Sequence, residues 1–191
     1  MNQTYPSKIT SLANYPIVIN ETLLKVIGVF IFVILTTLGA FVRIPLIFTP
    51  VPITLQTFFV LLSGAMLGRK FGTLSQSCYL ALGACGIPLF AGATSGMSVF
   101  LGPTGGYLFG FVIASFLVGA LLKNNKNLVN IISIFLLTSA VILILGALWL
   151  CFVLKINFSQ ALYMGVLPFV GGDIIKAIAA SLIFNKLKYR F

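Results

Sequence analysis

Apolar residues along this chain come in blocks, and polar or helix-breaking residues collect between the blocks. A helix that crosses a bilayer needs about 20 mostly apolar residues. The pattern predicts six such helices, at 23–41, 54–68, 71–87, 106–122, 128–154 and 162–184. The second block is short and ends at Arg69-Lys70, and the third carries Thr73, Ser75, Gln76 and Ser77 in its first half. The fifth is the longest and most apolar, while the sixth is interrupted by Gly171, Gly172, Asp173 and Lys176. Three connections, 42–53, 88–105 and 155–161, are expected on the outer side. In the first of them Pro45, Pro50 and Pro52 rule out a continuing helix. The second, PLFAGATSGMSVFLGPTG, is rich in glycine and carries no charge, which suits a loop folded down onto the bundle. Together these two loops are the natural roof of a pocket. The polar first twenty residues are expected to form a short tail, too long in polar character for a cleaved secretory signal.

Composition agrees with that pattern. Of 191 residues, 60% are hydrophobic and 7% charged; a soluble domain carries about 25% charged residues. The expected fold class is therefore all-α: an integral membrane protein with six transmembrane helices forming one membrane domain over residues 1–191. The net charge of +10 invites a nucleic-acid reading, which fails because the basic residues sit at the ends of apolar blocks and not along one face. With the N-terminus inside, the cytoplasmic side holds Lys8, Lys25, Arg69, Lys70, Lys123, Lys126, Lys186, Lys188 and Arg190, and the outside only Arg43 and Lys155. Such a bias fits an even number of crossings with both termini in the cytoplasm of a bacterial cell membrane. Cys78, Cys85 and Cys151 have no metal-ligand spacing and are expected to be small buried hydrophobes.

Small residues recur four apart at Gly64/Gly68, Gly106/Gly110, Ser115/Gly119 and Ala177/Ser181. Such pairs let membrane helices approach closely, either within one chain or against another subunit. Thr36 and Ala40 in the first span are the pair expected to dock a partner.

Enzymatic readings lack their parts. Histidine is absent, and Glu21 and Asp173 are the only carboxylate side chains, too few for a carboxylate-held metal. Gly64–Lys70 resembles a phosphate loop faintly, but the spacing is wrong and no Ser or Thr follows the lysine. A chain without ATPase machinery that moves a solute uphill needs energy from elsewhere. Asp173 and Lys176 stand out, because a charge inside an apolar span costs several kcal/mol unless partnered. Three residues apart, they share one helix face. They form either a self-neutralising ion pair or the polar end of a site for a small ligand that has both a carboxylate and hydrogen-bond donors. Tyr79 and Tyr107 offer apolar rings with polar tips, for packing or for a ligand slot. Gln56, at the outer start of the second span, can serve a ligand or cap a helix. Trp149, near the outer end of the fifth, reads as an interface anchor.

Several runs resemble one known family. PVPITLQTF at 50–58, GIPLFAG at 86–92, LGPTGGYLFGF at 101–111 and GGDIIKA at 171–177 are similar to motifs of the BioY family, the biotin-specific S components of energy-coupling factor transporters. The last corresponds to an Asp-x-x-Lys motif in which Pro usually stands where this chain has Gly171. The resemblance implies a bundle of six helices that binds biotin from outside, without a cofactor. It also implies partnership with a membrane scaffold subunit and two cytoplasmic ATPases. Asp173 is then expected to accept from the ureido N–H groups, and Lys176 to lie near the ligand's carboxylate or its ureido oxygen. Phe90, Gly92 and Tyr107 are expected to close over ring and tail, with Gln56 and Tyr79 as further binding residues. The family's first-helix docking pattern is Ala-x-x-x-Ala, of which Thr36–Ala40 is a relaxed version. A self-sufficient proton-coupled transporter of a small carboxylate would also use an intramembrane acid, but usually with more spans or an internal repeat.

Overall fold

The computed structural model describes residues 20–123 and 127–187. The tail expected over the first twenty residues lies outside them except for Asn20, as do Lys8, Lys126, Lys188 and Arg190. Helix α1 spans Glu21–Phe41 and starts where the Asn20 side chain accepts from the Thr22 N–H, a standard solution for the unpaired donors of a first turn. At the Pro-rich connection the chain forms a short antiparallel ribbon, β1 (Arg43–Ile44) against β2 (Ile53–Thr54), with Arg43 opposite Thr54. The next helix, α2, covers Gln56–Ala84 but is not one rod. At Gly68 (φ 75°, ψ 178°) the backbone leaves helical geometry, in a region open essentially to glycine alone.

That single residue turns the chain back on itself. A Cβ at Gly72 would sit 2.7 Å from Gly64 Cα, Gln76 bonds Ser63 at 3.1 Å, and Gln56 bonds Tyr79 at 2.6 Å. The limbs 56–67 and 69–84 therefore run antiparallel with no loop between them, and the outer residues of each meet again at the outer end.

Helix α3 (Met97–Leu101) is a short turn within the glycine-rich loop. It is followed by α4 (Gly105–Leu121), α5 (Leu128–Leu154), α6 (Phe158–Gly165) and α7 (Leu167–Leu187). The residues expected in one last span at 162–184 thus divide at Val166, where φ is −125°. Pro168 lacks a backbone N–H and cannot continue the ladder of α6. Among the described residues three helices, α1, α5 and α7, are long and apolar enough to cross a membrane. Large apolar side chains such as Phe30, Ile34, Leu137, Phe152 and Ile175 point outward, as lipid-facing positions should.

Small residues place the helices against one another. A Cβ on Gly64 would collide with the Ser115 carbonyl, and one on Gly119 with the backbone of Arg69. The four-residue small pairs on α2 and α4 are therefore spent on packing inside this chain. Thr36 and Ala40 are also fully buried, and Thr36 accepts from Gln76 at 3.3 Å. Their expected role as a docking face does not fit this arrangement, because α1 turns them into the bundle and presents Ile34, Leu38 and Phe41 outward. A threonine in a hydrocarbon setting keeps its hydroxyl where a polar partner exists. The three cysteines are free but not buried as expected: Cys78 and Cys151 are half-buried, and Cys85 is exposed where it caps α2 at the outer end.

Candidate functional site

The first limb of α2, the connection 43–54 with its ribbon, the loop 88–105 and helices α4, α5 and α7 line a cavity of about 390 Å³, within the range of small-molecule sites. Its wall is mainly apolar, including Val51, Phe90, Tyr107, Phe111, Leu143 and Phe169, while Asp173 and Lys176 supply the charge on its α7 side.

Asp173 and Lys176 form an ion pair in which the side chains are only 5% and 12% exposed. Each charge has further partners. Thr57 donates to Asp173 Oδ1 at 3.3 Å and Ser139 to Oδ2 at 3.0 Å, while Lys176 Nζ donates to the Thr54 carbonyl at 3.0 Å. A buried ion pair is tolerable when hydrogen bonds satisfy the remaining lone pairs and protons, and here α2, α5 and β2 each contribute one. The pair is self-neutralised and also lies on the cavity wall.

Tyr107 stands at the start of α4 with its ring on the cavity. Its hydroxyl donates to the Gly165 carbonyl at 2.7 Å. That carbonyl is free because Phe169 N–H bonds Val166 instead, at 2.9 Å, a consequence of the break before Pro168. The absence of a side chain at Gly146 makes room for the ring, since a Cβ there would overlap Tyr107.

Phe90 is 1% exposed and reaches the cavity from the roof. It stacks edge-on with Tyr79 and Phe100 at 5.5 and 5.6 Å. Gly83 lies behind it, where any Cβ would strike the ring. Gln56 also lines the cavity, but its amide is engaged: Nε2 donates to Tyr79 Oη at 2.6 Å, and Oε1 accepts from Thr54 at 3.1 Å. Tyr79 donates onward to the Leu89 carbonyl at 3.1 Å. The chain Thr54–Gln56–Tyr79–Leu89 thereby ties both roof loops to the hairpin.

Tyr79 is fully buried behind the wall, not on it; it supports Gln56 and Phe90. Gly92 also stays off the wall, and at φ 81° it packs against the guanidinium of Arg43, which does line the cavity. Trp149, expected as an interface anchor, donates to the Gly102 carbonyl at 3.0 Å and pins the loop 88–105.

Two groups on the cavity wall, Arg43 and Thr57, were not among the expected residues, and neither was Ser139, which does not line the cavity but donates to Asp173. Thr57 follows Gln56 directly, and Ser139 is a small polar residue in the middle of a strongly apolar run. A hydroxyl at such a position signals an interhelical partner. Arg43 signals itself by standing on the side where basic residues are scarce.

The BioY family profile matches residues 10–191. The chain is 42% identical over 158 residues to the biotin transporter BioY of Thermotoga maritima, covering 83% of this chain and 92% of that one. It is 38% identical over 157 residues to the biotin transporter BioY of Lactococcus lactis, covering 79% and 82%. Its fold is similar to the crystal structure of an S-component for biotin from an ECF-type ABC transporter. The TM-score is 0.84 at 31% identity, over 91% of this chain and 95% of the other.

Proposed function

This chain belongs to the BioY family, a multi-pass membrane protein of transporter type, and from that premise we propose that it binds biotin and admits it to the cell as the S component of an ECF-type transporter. The observation that carries this reading is the cavity itself. It joins an apolar slot, suited to a bicyclic ring and an alkyl tail, to one hydrogen-bonded Asp–Lys pair. In this reading Asp173 accepts from the ureido N–H groups. Lys176 supplies positive charge to a ligand acceptor, the ureido oxygen or the carboxylate. Phe90 and Tyr107 enclose the ring, and Gln56 and Tyr79 hold the roof over it.

The chain is read as a single membrane domain with six crossings: α1, the two limbs of α2, α4, α5, and α6 with α7. The excess of lysine and arginine at the Arg69–Lys70 end supports cytoplasmic termini and an outward-facing cavity. The sequence carries no phosphate-loop motif, so in this reading uptake against a gradient falls to an energising module, a membrane scaffold subunit with two ATPases. Because Thr36 and Ala40 face inward, contact with that scaffold would use the outward apolar face of α1 or require α1 to rotate.

Uptake of labelled biotin in cells lacking other biotin transporters tests the assignment. Concentrative uptake is expected when this chain is co-expressed with an energising module. Uptake driven by a proton gradient, with this chain alone in proteoliposomes, would overturn the S-component reading in favour of a secondary transporter.

A further inference from the structure

Asp173 and Lys176 neutralise one another. A ligand carboxylate brought to that pair would meet the aspartate's negative charge as closely as the lysine's positive one. The other cation on the cavity wall is Arg43. Both side-chain carboxylates of the chain are already engaged, Glu21 with Lys25 at 3.4 Å and Asp173 with Lys176, so none is left for Arg43. Its charge is therefore unneutralised within the described residues, at an exposed position on the outer ribbon.

The guanidinium is nonetheless located. Strand β1 sets Arg43 directly opposite Thr54, the residue whose carbonyl holds Lys176. From above, Gly92 at φ 81° leaves the space that the Arg43 guanidinium fills. Apart from Arg43 and the ion pair the wall is mainly apolar, with Phe90, Tyr107 and Phe169. The cavity thus carries charge of two kinds: a buried, self-neutralised donor-and-acceptor pair and an exposed lone cation.

We propose that Arg43 is the carboxylate anchor of this site: it takes the terminal carboxylate of the ligand at the mouth, which leaves the Asp173–Lys176 pair for the ureido ring. The proposal rests on the biotin reading and sharpens it, assigning Lys176 to the ureido oxygen. A guanidinium suits the task because it offers parallel N–H donors that match both oxygens of a carboxylate.

The test compares biotin with biotinamide, which keeps ring and tail but has no charge. Both would be titrated against the full detergent-purified chain and its Arg43→Ala and Arg43→Lys variants. The parent is expected to prefer biotin. Arg43→Ala should weaken biotin by about tenfold, the scale of one hydrogen-bonded charge contact, with biotinamide little changed, so that the preference collapses. Arg43→Lys should restore part of it. Binding of biotinamide by Arg43→Ala also reports that the variant is folded. An acid-to-amide preference in Arg43→Ala equal to the parent's, whether both ligands weaken or neither does, would overturn the anchor and leave the biotin reading standing. A parent that binds neither ligand would overturn both.

Discussion

Lys176 donates its ammonium to the backbone carbonyl of Thr54 at 3.0 Å, across 122 residues of sequence. This bond fastens the last helix to the ribbon that roofs the cavity. Thr54 also donates to Gln56, and Gln56 to Tyr79, so the buried ion pair is continuous with both roof loops. A ligand that draws Lys176 toward itself would loosen the roof's tie to α7, and that is a direct physical route from occupancy to loop position.

The ion pair can be separated from its role in binding by asking what each substitution leaves behind. Lys176→Met strands a buried carboxylate whose remaining partners are Thr57 and Ser139. Losing one member of a buried pair costs about 3–5 kcal/mol, so the melting temperature in detergent should fall sharply. The double variant Asp173→Asn/Lys176→Met removes both charges and should melt near the parent. It should still fail to bind biotin. Recovery of binding along with stability would show the pair to be structural only.

Gly68 carries the hairpin on its backbone angles alone, since nothing lies within 4 Å of where its Cβ would be. Gly68→Ala is therefore expected to cost about 1–3 kcal/mol despite the open space, read as a lower melting temperature. A neutral result would mean that the turn relaxes to another geometry without penalty.

Gly83 works by space, not by angle. In Gly83→Ala the new methyl would push Phe90 out of its place between Tyr79 and Phe100 and into the cavity. Overpacking of this kind costs about 1–3 kcal/mol. Biotin affinity should drop more than the stability of the empty protein does, and the two are measured by titration and by thermal unfolding of the same preparation.

Tyr107→Phe removes one hydroxyl and strands the Gly165 carbonyl at the α6–α7 break. The expected cost is about 1 kcal/mol, with a small loss of affinity because the ring itself stays. Amide exchange should increase locally around 165–169, and an unchanged exchange rate there would show that the tyrosine does not brace the break.

How much of this was legible in the sequence differs from element to element. The blocks of apolar residues and the punctuation by proline identify the helices, because the bilayer imposes length and apolarity on any segment that crosses it. Asp173 and Lys176 are conspicuous for the same reason. The hairpin at Gly68 is less readable, since Gly-Arg-Lys suits an ordinary cytoplasmic connection and only the φ of one residue removes the loop. Direction around a helix is the harder property. Thr36 and Ala40 were expected to face a partner and face Gln76 and the α2 hairpin instead, because nearly every face of α1 is apolar and its periodicity cannot distinguish lipid from core. Trp149 was placed near the outer end by position, but its hydrogen bond to Gly102, like that of Tyr79 to Leu89, depends on how the glycine-rich loop folds, which composition does not encode. Ser139 and Thr57 lie far apart in sequence, and only the packing of α2 and α5 against α7 brings them to one carboxylate.

Biotin is expected to bind this chain at the Asp173–Lys176 pair on the cavity wall. Equilibrium titration of the detergent-purified chain alone, beside Asp173→Asn and Lys176→Ala, tests it most directly. Saturable binding of biotin by the parent and a strong loss in both variants is the expected result. Undiminished binding in a folded Asp173→Asn variant would contradict the site, and a folded parent that does not bind would contradict the ligand.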